Sequence, residues 1–487
     1  MAASHFHPDL SVIDRLEVGP VQMQPDKLEM PYRIHQQQEI FINHLSYHWE
    51  EAVFDPRDQR DQSLASMIGA QVAINYGLFC KEMIFRGPFD DYDMQFIRTM
   101  LENTAIEIAV KKFLEPNPFL KIDTSTLEFD PGQPFCQADL YFPDAFESGI
   151  YSLKMPETSM HAILSSGGKE SLLTFGVLNE LNQSPHPIFI NESGRHWYTA
   201  LNGYRHLKNH FPQTSRVWTN ADRIFNWMLR HLSFIRQDFS RIRADEYPVR
   251  LWTVAVFLFG ALPLVLKRGI NRILIGDEYD TTRKVETRGI SHYDGLYDQS
   301  RYFDHALSNY YGHKGWPIKQ FSLLRPLSEF LIEKILVQRY PDLQEHQISC
   351  HAAHIEEKRV KPCGKCEKCR RIVGMVIAMG SDPQKCGYTL QQIRHCLQAL
   401  EKESIHQEAE GAEHLLAILQ EKKIITPWSK TSRHTEIESL RFHPEFSPID
   451  ELPPDLYPVY KIFSQYVKNT LVLQNNQWQS ALLEQLL

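Results

Sequence analysis

The chain has 487 residues, of which 43% are apolar and 23% charged, and its formal net charge is -8. This composition indicates a globular protein with more than one core, and it offers no basic footprint for a nucleic-acid surface, so nucleic acid is not expected as a partner. Met1 is not followed by the basic stretch and apolar segment of a signal peptide. One apolar run, Leu251 to Leu266, contains Gly260 and Pro263 and is shorter than the roughly 18 to 20 residues that span a bilayer. The sequence therefore predicts a cytoplasmic protein without a membrane span.

Residues 1–157 are predicted to form an N-terminal α+β domain. Within it, Ala70 to Phe85 alternates apolar and polar side chains in the manner of a strand. Phe89 to Phe113 has apolar residues at helical spacing. Phe129 to Phe146 is rich in Pro, Asp and Gly, which is typical of a loop or a boundary.

From residue 158 to residue 380, short apolar strands alternate with amphipathic helices. We expect strands at His161–Leu164 and Pro187–Ile190, from Ser215 onward, and at Arg272–Ile275. We expect helices at Ser171–Leu181, Trp197–Asn209 and Trp252–Leu266. This alternation predicts an α/β domain, in which a parallel sheet is covered by helices on both faces.

Residues 381–487 are predicted to form a helical C-terminal region. Leu390–Glu403 and Glu408–Lys422 are amphipathic at helical spacing. Thr426 to Pro458 is rich in Pro and Ser and is interpreted as a tether. Tyr460 to Leu487 returns to apolar spacing.

The first expected strand of the α/β domain runs into a glycine-rich loop and then a helix. We predict that the loop binds phosphate, through Ser166, Gly167, Gly168, Lys169, Glu170 and Ser171. Glycine lets backbone amides approach phosphate oxygens, the helix N-terminus supplies unpaired N–H groups, and Lys169 adds a cation. The loop is not a Walker A loop, because position 163 is Ile where that motif needs Gly. The alternative interpretation is an ordinary turn rich in small residues.

Four of the eight cysteines are clustered as Cys350 and Cys363-x2-Cys366-x2-Cys369. Two sulfurs of a Cys-x2-Cys turn can converge on one ion, and the upstream cysteine completes a tetrahedral set, so we predict a structural zinc site. An iron–sulfur cluster uses the same ligands and is the alternative. His351 and His354 flank the site and are either substitute ligands or solvent-facing residues.

The loop resembles the Ser-Gly-Gly-x-Asp-Ser loop of the ATP pyrophosphatase (PP-loop) superfamily, with Glu170 in place of the usual Asp. The loop and cysteines together resemble 7-cyano-7-deazaguanine synthase. The longer ATP-dependent UDP-N-acetylmuramoyl-L-alanyl-L-glutamate epimerases are a closer resemblance, carried by Phe321–Glu329, by Ser349 to Arg370 and by the segment from Ser291 to Phe303. The cysteine-containing C-terminal segment of that family is not evident here.

The resemblance implies a Rossmann-like fold of the adenine nucleotide alpha hydrolase type. It also implies ATP and Mg²⁺ as cofactors, and a small-molecule substrate that bears a carboxylate, such as a nucleotide-sugar peptide. The carboxylate would be adenylated, and the terminal L-Glu would then be epimerised.

In this interpretation the phosphate loop holds pyrophosphate, and Asp277 and Glu278 belong to the nucleotide site because they follow a parallel strand. Arg250 contacts phosphate or a substrate carboxylate. Arg325 and Glu329 act in the site or form a buried ion pair. His292 and Tyr293 are the candidates for the proton-transfer base. Two other hypotheses stay open: a nucleobase-modifying enzyme, which would resemble the deazaguanine synthase or a tRNA thiolase, and a zinc-stabilised nucleotide sensor without catalysis.

Overall fold

The computed structural model describes residues 10–147, 149, 152–154, 158–192, 194, 196–242, 247–350, 352–403, 405, 409–426 and 431–487. The predicted domain boundary at residue 157 and the candidate ligand His351 lie outside this part of the chain.

The N-terminal region is built on six strands and two helices. They are β1 (Ile13–Val18), β2 (Gln22–Gln24), β3 (Lys27–Gln36), β4 (Glu39–Trp49), α1 (Gln59–Ala70), β5 (Cys80–Phe85), α2 (Asp91–Ile108) and β6 (Asp139–Tyr141). The predicted strand from Ala70 to Phe85 is wrong in its first part, because α1 ends at Ala70 and a 3₁₀ helix, Gln71–Tyr76, follows. All six residues of that 3₁₀ helix are buried. Its alternation of apolar side chains therefore did not mark one buried and one exposed face, as it would in an amphipathic strand.

The α/β region follows the predicted alternation of strands and helices. Its elements are β7 (His161–Ser165), α3 (Lys169–Glu180), β8 (Pro185–Glu192), α4 (His196–His210), β9 (Ser215–Thr219), α5 (Ala221–His231), α6 (Val254–Lys267), β10 (Arg272–Leu274), β11 (Lys284–Thr287), β12 (Ile290–Tyr293), α7 (Arg301–His313), β13 (Lys319–Phe321) and α8 (Glu329–Arg339). The apolar run is α6, which is buried along most of its length and has Pro263 inside it. Among the described residues, no helix is both long enough and apolar enough to span a membrane.

Strands of both regions join one eleven-stranded sheet. Strands β13, β10, β7, β8 and β9 lie side by side in that order and are parallel. Strand β4 pairs antiparallel with β9 and connects the N-terminal strands β3, β1, β5 and β6. The predicted mixed α/β fold with a mostly parallel central sheet is confirmed.

The two faces of the parallel part belong to different cores. On one face, Ile163, Phe189 and Leu274 pack in a cluster with residues of α3 and α8. On the other face, Ala162 and Ile188 pack in a cluster with residues of α6 and of the N-terminal region. Successive residues of a strand point to opposite faces, and here the residues on both faces are buried. These strands therefore have continuous apolar sequences.

The chain after α8 contains both helices and strands. Its elements are α9 (Pro341–Gln344), β14 (His354–Glu356), β15 (Arg359–Lys361), α10 (Glu367–Ala378), α11 (Leu390–Leu400), α12 (Ala409–Glu421), β16 (Ser439–Phe442), α13 (Pro458–Ser464), β17 (Asn469–Gln474), β18 (Gln477–Ala481) and α14 (Leu483–Leu486). Strands β16, β17 and β18 form a separate sheet, so the prediction of a helical region is wrong for its last part. The interpretation of Thr426 to Pro458 as a tether is also wrong for β16, because all four of its residues are buried.

Candidate functional site

The glycine-rich loop connects the C-terminal end of β7 to the first turn of α3. Gly167 has a φ of +73°, and a Cβ atom there would lie 2.8 Å from the Cα of Ala200 in α4. This position therefore requires glycine, both for its backbone conformation and for its approach to α4. Gly168 precedes the helix, and among the described side chains none caps its N-terminus. The first N–H groups of α3 thus keep their capacity to bind an anion.

The loop lies where the strand order of the parallel sheet reverses. From β7 the chain adds β8 and β9 on one side, and then β10 and β13 on the other. Ligands of open parallel sheets bind at the carboxyl ends of the strands beside such a reversal, which here is between β7 and β10. Gly276 follows β10, and a Cβ atom there would lie 2.4 Å from the Cβ of Glu170. The segment after β10 is therefore packed directly against the first turn of α3.

Lys169 is a buried cation among carboxylates. Its Nζ forms ion pairs with Glu170 and, at 2.8 Å, with Glu329 at the start of α8. Burial opposes its charge, but Glu170, Glu329 and Glu278 together raise the pKa of Lys169 well above its usual value. Lys169 is thus charged at all physiological pH values. Glu278, which the sequence assigned to the same site, is one of the groups that act on it.

The segment Phe321–Glu329 lies along this site. The Oγ of Ser322 donates to the backbone oxygen of Asp277 at 2.7 Å. The guanidinium of Arg325 is 2.6 Å from Asp304 and 3.4 Å from Asp277, and it is almost fully buried. Of the two interpretations of Arg325, the buried ion pair describes its position in this structure. Its partner Asp277 connects it to the loop after β10.

Arg250 forms a further buried ion pair, at the C-terminal end of β8. Its Nη2 lies 2.6 Å from Glu192 at the end of β8, and the guanidinium carbon lies 4.0 Å from the ring centre of Phe225. Asp298 accepts hydrogen bonds from the backbone N–H groups of Thr253, Val254 and Ala255 at the start of α6. Burial raises the pKa of Asp298 to about 6, although those N–H groups and the charge of Arg250 lower it.

His292 lies in the hairpin of β11 and β12, and both of its ring nitrogens have partners. One is 2.9 Å from the Oγ1 of Thr287, and the other is 3.0 Å from the backbone oxygen of Tyr293. The backbone N–H of Tyr293 donates to Glu107 of α2, and burial raises the pKa of that carboxyl to about 7. Both of these partners lie in the same hairpin as His292, and its catalytic role stays a prediction.

The four cysteines lie together, with their sulfur atoms within 4.8 Å of one another. The individual sulfur–sulfur distances include 3.5 Å for Cys366–Cys369, 3.8 Å for Cys363–Cys369 and 4.0 Å for Cys350–Cys366. Thiolates bound to one zinc ion at about 2.3 Å form a tetrahedron with edges of about 3.8 Å. The cluster can therefore hold a metal ion such as zinc.

Backbone N–H groups point at two of these sulfurs. Cys363 donates its N–H to the sulfur of Cys350 at 3.2 Å, and Lys365 and Cys366 donate theirs to the sulfur of Cys363, both at 3.4 Å. Such bonds stabilise thiolate charge and orient ligands before the metal binds. Of the two candidate histidines, His354 lies in β14 and is exposed.

The cysteine segment is in contact with the glycine-rich loop. The backbone N–H of Ile348, two residues before Cys350, points at the backbone oxygen of Gly167 at 3.5 Å. On α10, which begins beside Cys366, Arg371 lies 3.1 Å from Glu329, the carboxylate that also pairs with Lys169. A metal that fixes the cysteine segment would therefore also fix one wall of the loop.

No family model matches the chain, and no curated protein matches it.

The sequence did not identify four acidic residues of this site. Glu192, Asp298, Asp304 and Glu333 are all almost fully buried. Glu192 ends β8, so the rule that ligands gather at the carboxyl ends of parallel strands could have found it. Asp298 lies in a 3₁₀ turn, Asp304 in α7 and Glu333 in α8. Their positions in the site depend on tertiary packing.

Proposed function

We propose that this protein cleaves ATP between the α- and β-phosphates and transfers AMP to a carboxylate. In this proposal the loop from Ser166 to Ser171 binds the pyrophosphate portion of ATP, and the activated substrate is an acyl-amino acid such as the terminal L-Glu of UDP-N-acetylmuramoyl-L-alanyl-L-glutamate. The observation that carries the proposal is the position of this loop, beside the reversal of strand order and in front of the uncapped start of α3. A Rossmann-like PP-loop domain has these features together.

The charges around the loop support a reaction that separates pyrophosphate from AMP. Lys169 is held at the start of α3 by Glu170 and Glu329. Because these carboxylates raise its pKa, Lys169 is positively charged when the phosphates of ATP bind. Preorganised charges in a buried site stabilise developing negative charge better than mobile water does.

Adenylation gives chemical access to the α-proton of the substrate. Removing that proton from a free carboxylate would create a dianion, and a mixed anhydride with AMP avoids this. A base removes the proton, reprotonation occurs on the opposite face, and water then releases AMP. His292 and its neighbour Tyr293 are our candidates for the proton transfer.

Metal ions have two separate places in this proposal. Asp277 and Glu278, after β10, are the carboxylates that could hold Mg²⁺ beside the loop, and the ion would neutralise charge on the phosphates. Asp277 also lies 3.4 Å from Arg325, whose guanidinium is closer to Asp304, at 2.6 Å. A structural zinc ion on the four cysteines would hold the segment that contacts Gly167.

The proposal is tested by incubating the protein with ATP, Mg²⁺ and the nucleotide-sugar peptide in heavy water. We expect stoichiometric pyrophosphate, and deuterium at the Cα of the terminal glutamate that depends on ATP. Ser166→Ala should lower the rate about 100-fold or more, as the loss of one oxyanion donor does in other enzymes. Ser125→Ala, at an exposed serine, is the matched control and should keep the full rate.

Two outcomes would overturn the proposal in different ways. Pyrophosphate that forms only with a nucleobase or tRNA would support a nucleobase-modifying enzyme instead. Unchanged turnover in Ser166→Ala would remove the loop from the reaction.

A further inference from the structure

Four aromatic side chains meet between the α/β region and the C-terminal sheet. Tyr279 follows Glu278, and its ring centre lies 6.5 Å from that of His443, 6.0 Å from that of Phe446 and 6.2 Å from that of Trp478. The rings of His443 and Phe446 stack at 4.0 Å. Trp478 belongs to β18 and is 36% exposed, so one side of this aromatic cluster is open to solvent.

Arg441 of β16 lies against the same cluster. Its guanidinium carbon is 3.7 Å from the ring centre of Tyr279, and the side chain is 3% exposed. Within the described part of the chain, its Nε and Nη2 have no hydrogen-bond partner. The carboxylate of Asp280 lies 4.0 Å from Nη2, which is beyond hydrogen-bond distance. A buried guanidinium with unpaired donors is costly, and an anionic ligand would satisfy it.

The charge around this cluster suits a ligand that carries both negative charge and hydroxyl groups. Arg283 is exposed and close enough for its charge to lower the pKa of Asp280, so two cations border the site. Burial raises the pKa of Asp280, and the nearby Glu410 raises it further. These carboxyl groups can accept hydrogen bonds from hydroxyls or from base N–H groups.

The aromatic cluster is close to the proposed adenylation site. Gly276 packs against Glu170 of the phosphate loop, and Tyr279 is three residues further along the chain. Three residues span at most about 11 Å. One molecule could therefore occupy both sites if a linker of sugar or peptide size connects its two ends.

We infer that Tyr279, Trp478, His443 and Arg441 form a second binding site, which takes the nucleoside diphosphate end of the substrate. The aromatic faces would stack on the base, and the unpaired donors of Arg441 would bind the diphosphate. The inference rests on the proposed function for the molecule that carries this group. The C-terminal sheet then supplies substrate recognition, at a place separate from the loop that binds ATP.

The test measures binding of UDP by calorimetry, with no turnover, to the whole protein with its metal in place. We expect UDP to bind in the presence of saturating ATP. Trp478→Ala should weaken that binding about 5- to 150-fold, which is the loss expected for one stacking partner. Arg441→Lys should also weaken it, because an ammonium group cannot reproduce the planar donor pair. Tyr141→Ala removes another exposed aromatic side chain, on the edge strand β6 of the eleven-stranded sheet, and should leave UDP binding unchanged.

Three results would overturn the inference: UDP does not bind at millimolar concentration, ATP displaces it competitively, or Trp478→Ala binds it like the wild type. If Arg441→Lys fails to fold, Trp478→Ala decides alone, because Trp478 is on a partly exposed edge hairpin. Failure of the proposed function is separate, because pyrophosphate release could be absent while UDP binding and its loss in Trp478→Ala persist.

Discussion

Replacing Gly276 by Ala tests whether the segment after β10 positions the phosphate loop. The new Cβ would be 2.4 Å from the Cβ of Glu170, 3.1 Å from its carbonyl carbon and 3.2 Å from the backbone nitrogen of Ser171. Two of these three atoms belong to the backbone, so rotation of a side chain cannot relieve the overlap. The segment after β10 and the first turn of α3 must move apart.

The required movement can be estimated from the same distances. Ordinary van der Waals contact begins at 3.4 Å, so the two backbones must separate by about 1 Å. Overpacking of this kind costs about 1–3 kcal/mol of folding free energy. A displacement of about 1 Å at a reacting group can cost on the order of 100-fold in rate. We therefore expect Gly276→Ala to lose more activity than its stability loss would suggest.

The assay combines ATP-dependent pyrophosphate release with urea unfolding. Gly312→Ala is the matched control, because it lies in α7 and an added Cβ meets nothing within 4 Å. That control should keep its activity and gain about 0.5–1 kcal/mol, since Ala is the better helix former. If Gly276→Ala keeps wild-type stability and a rate within twofold of wild type, the close packing of these two segments is not as described.

Three further predictions concern charge and metal. Burial raises the pKa of Glu333 to about 8 from its ordinary value of 4.5. Between these two pH values the folded protein keeps a proton on Glu333 that the unfolded chain releases. The free energy of unfolding should therefore fall as the pH rises from 4.5 to 8. Glu333→Gln should therefore match the wild type at pH 4.5 and exceed its urea midpoint at pH 9; an identical pH dependence in the variant would contradict this. Arg250→Met should lower the free energy of unfolding in urea by about 3–5 kcal/mol, because it leaves the buried Glu192 unpaired. Arg236→Met breaks only an exposed ion pair and should change this free energy little. Equal losses in the two variants would contradict a buried ion pair between Arg250 and Glu192. We expect mass spectrometry to find one zinc ion per chain in the wild type. Cys366→Ser should lower that zinc content and the melting temperature, whereas Cys136→Ser, outside the cluster, should keep the metal. Full zinc content in Cys366→Ser would contradict a four-cysteine site.

The sequence predicted the central part of the molecule because its signals are local. β7 is a short apolar strand, Gly167 and Gly168 follow it, and α3 begins at Lys169, all within nine residues of His161. The cysteine cluster is equally local, apart from Cys350. The ion pairs of Arg250 with Glu192 and of Arg325 with Asp304 join residues 58 and 21 positions apart, and no periodicity reports such pairs.

The strands that the sequence patterns missed or misassigned depend on unusual turns or on burial by distant parts of the chain. No element was predicted for β3 and β4, which form a long hairpin, because their turn is Gln37-Gln38, at φ values of 51° and 70°, and glutamine is not a usual turn residue. The turn between β17 and β18 is Asn475-Asn476, at φ values of 50° and 59°. Asparagine tolerates that conformation, so this hairpin had a signal that the apolar spacing of Tyr460 to Leu487 concealed. The Pro- and Ser-rich segment around β16 is ordered by contacts such as that from the N–H of Arg441 to the backbone oxygen of Pro326, 115 residues earlier.

Labelling the carboxylate of the substrate with oxygen-18 tests the adenylating reaction most directly. If AMP is transferred to the carboxylate and water then attacks the acyl carbon, one labelled oxygen must leave with AMP. We predict AMP that carries one oxygen-18 atom, together with an equal amount of pyrophosphate. Unlabelled AMP, or ADP with inorganic phosphate as the products, would contradict the account.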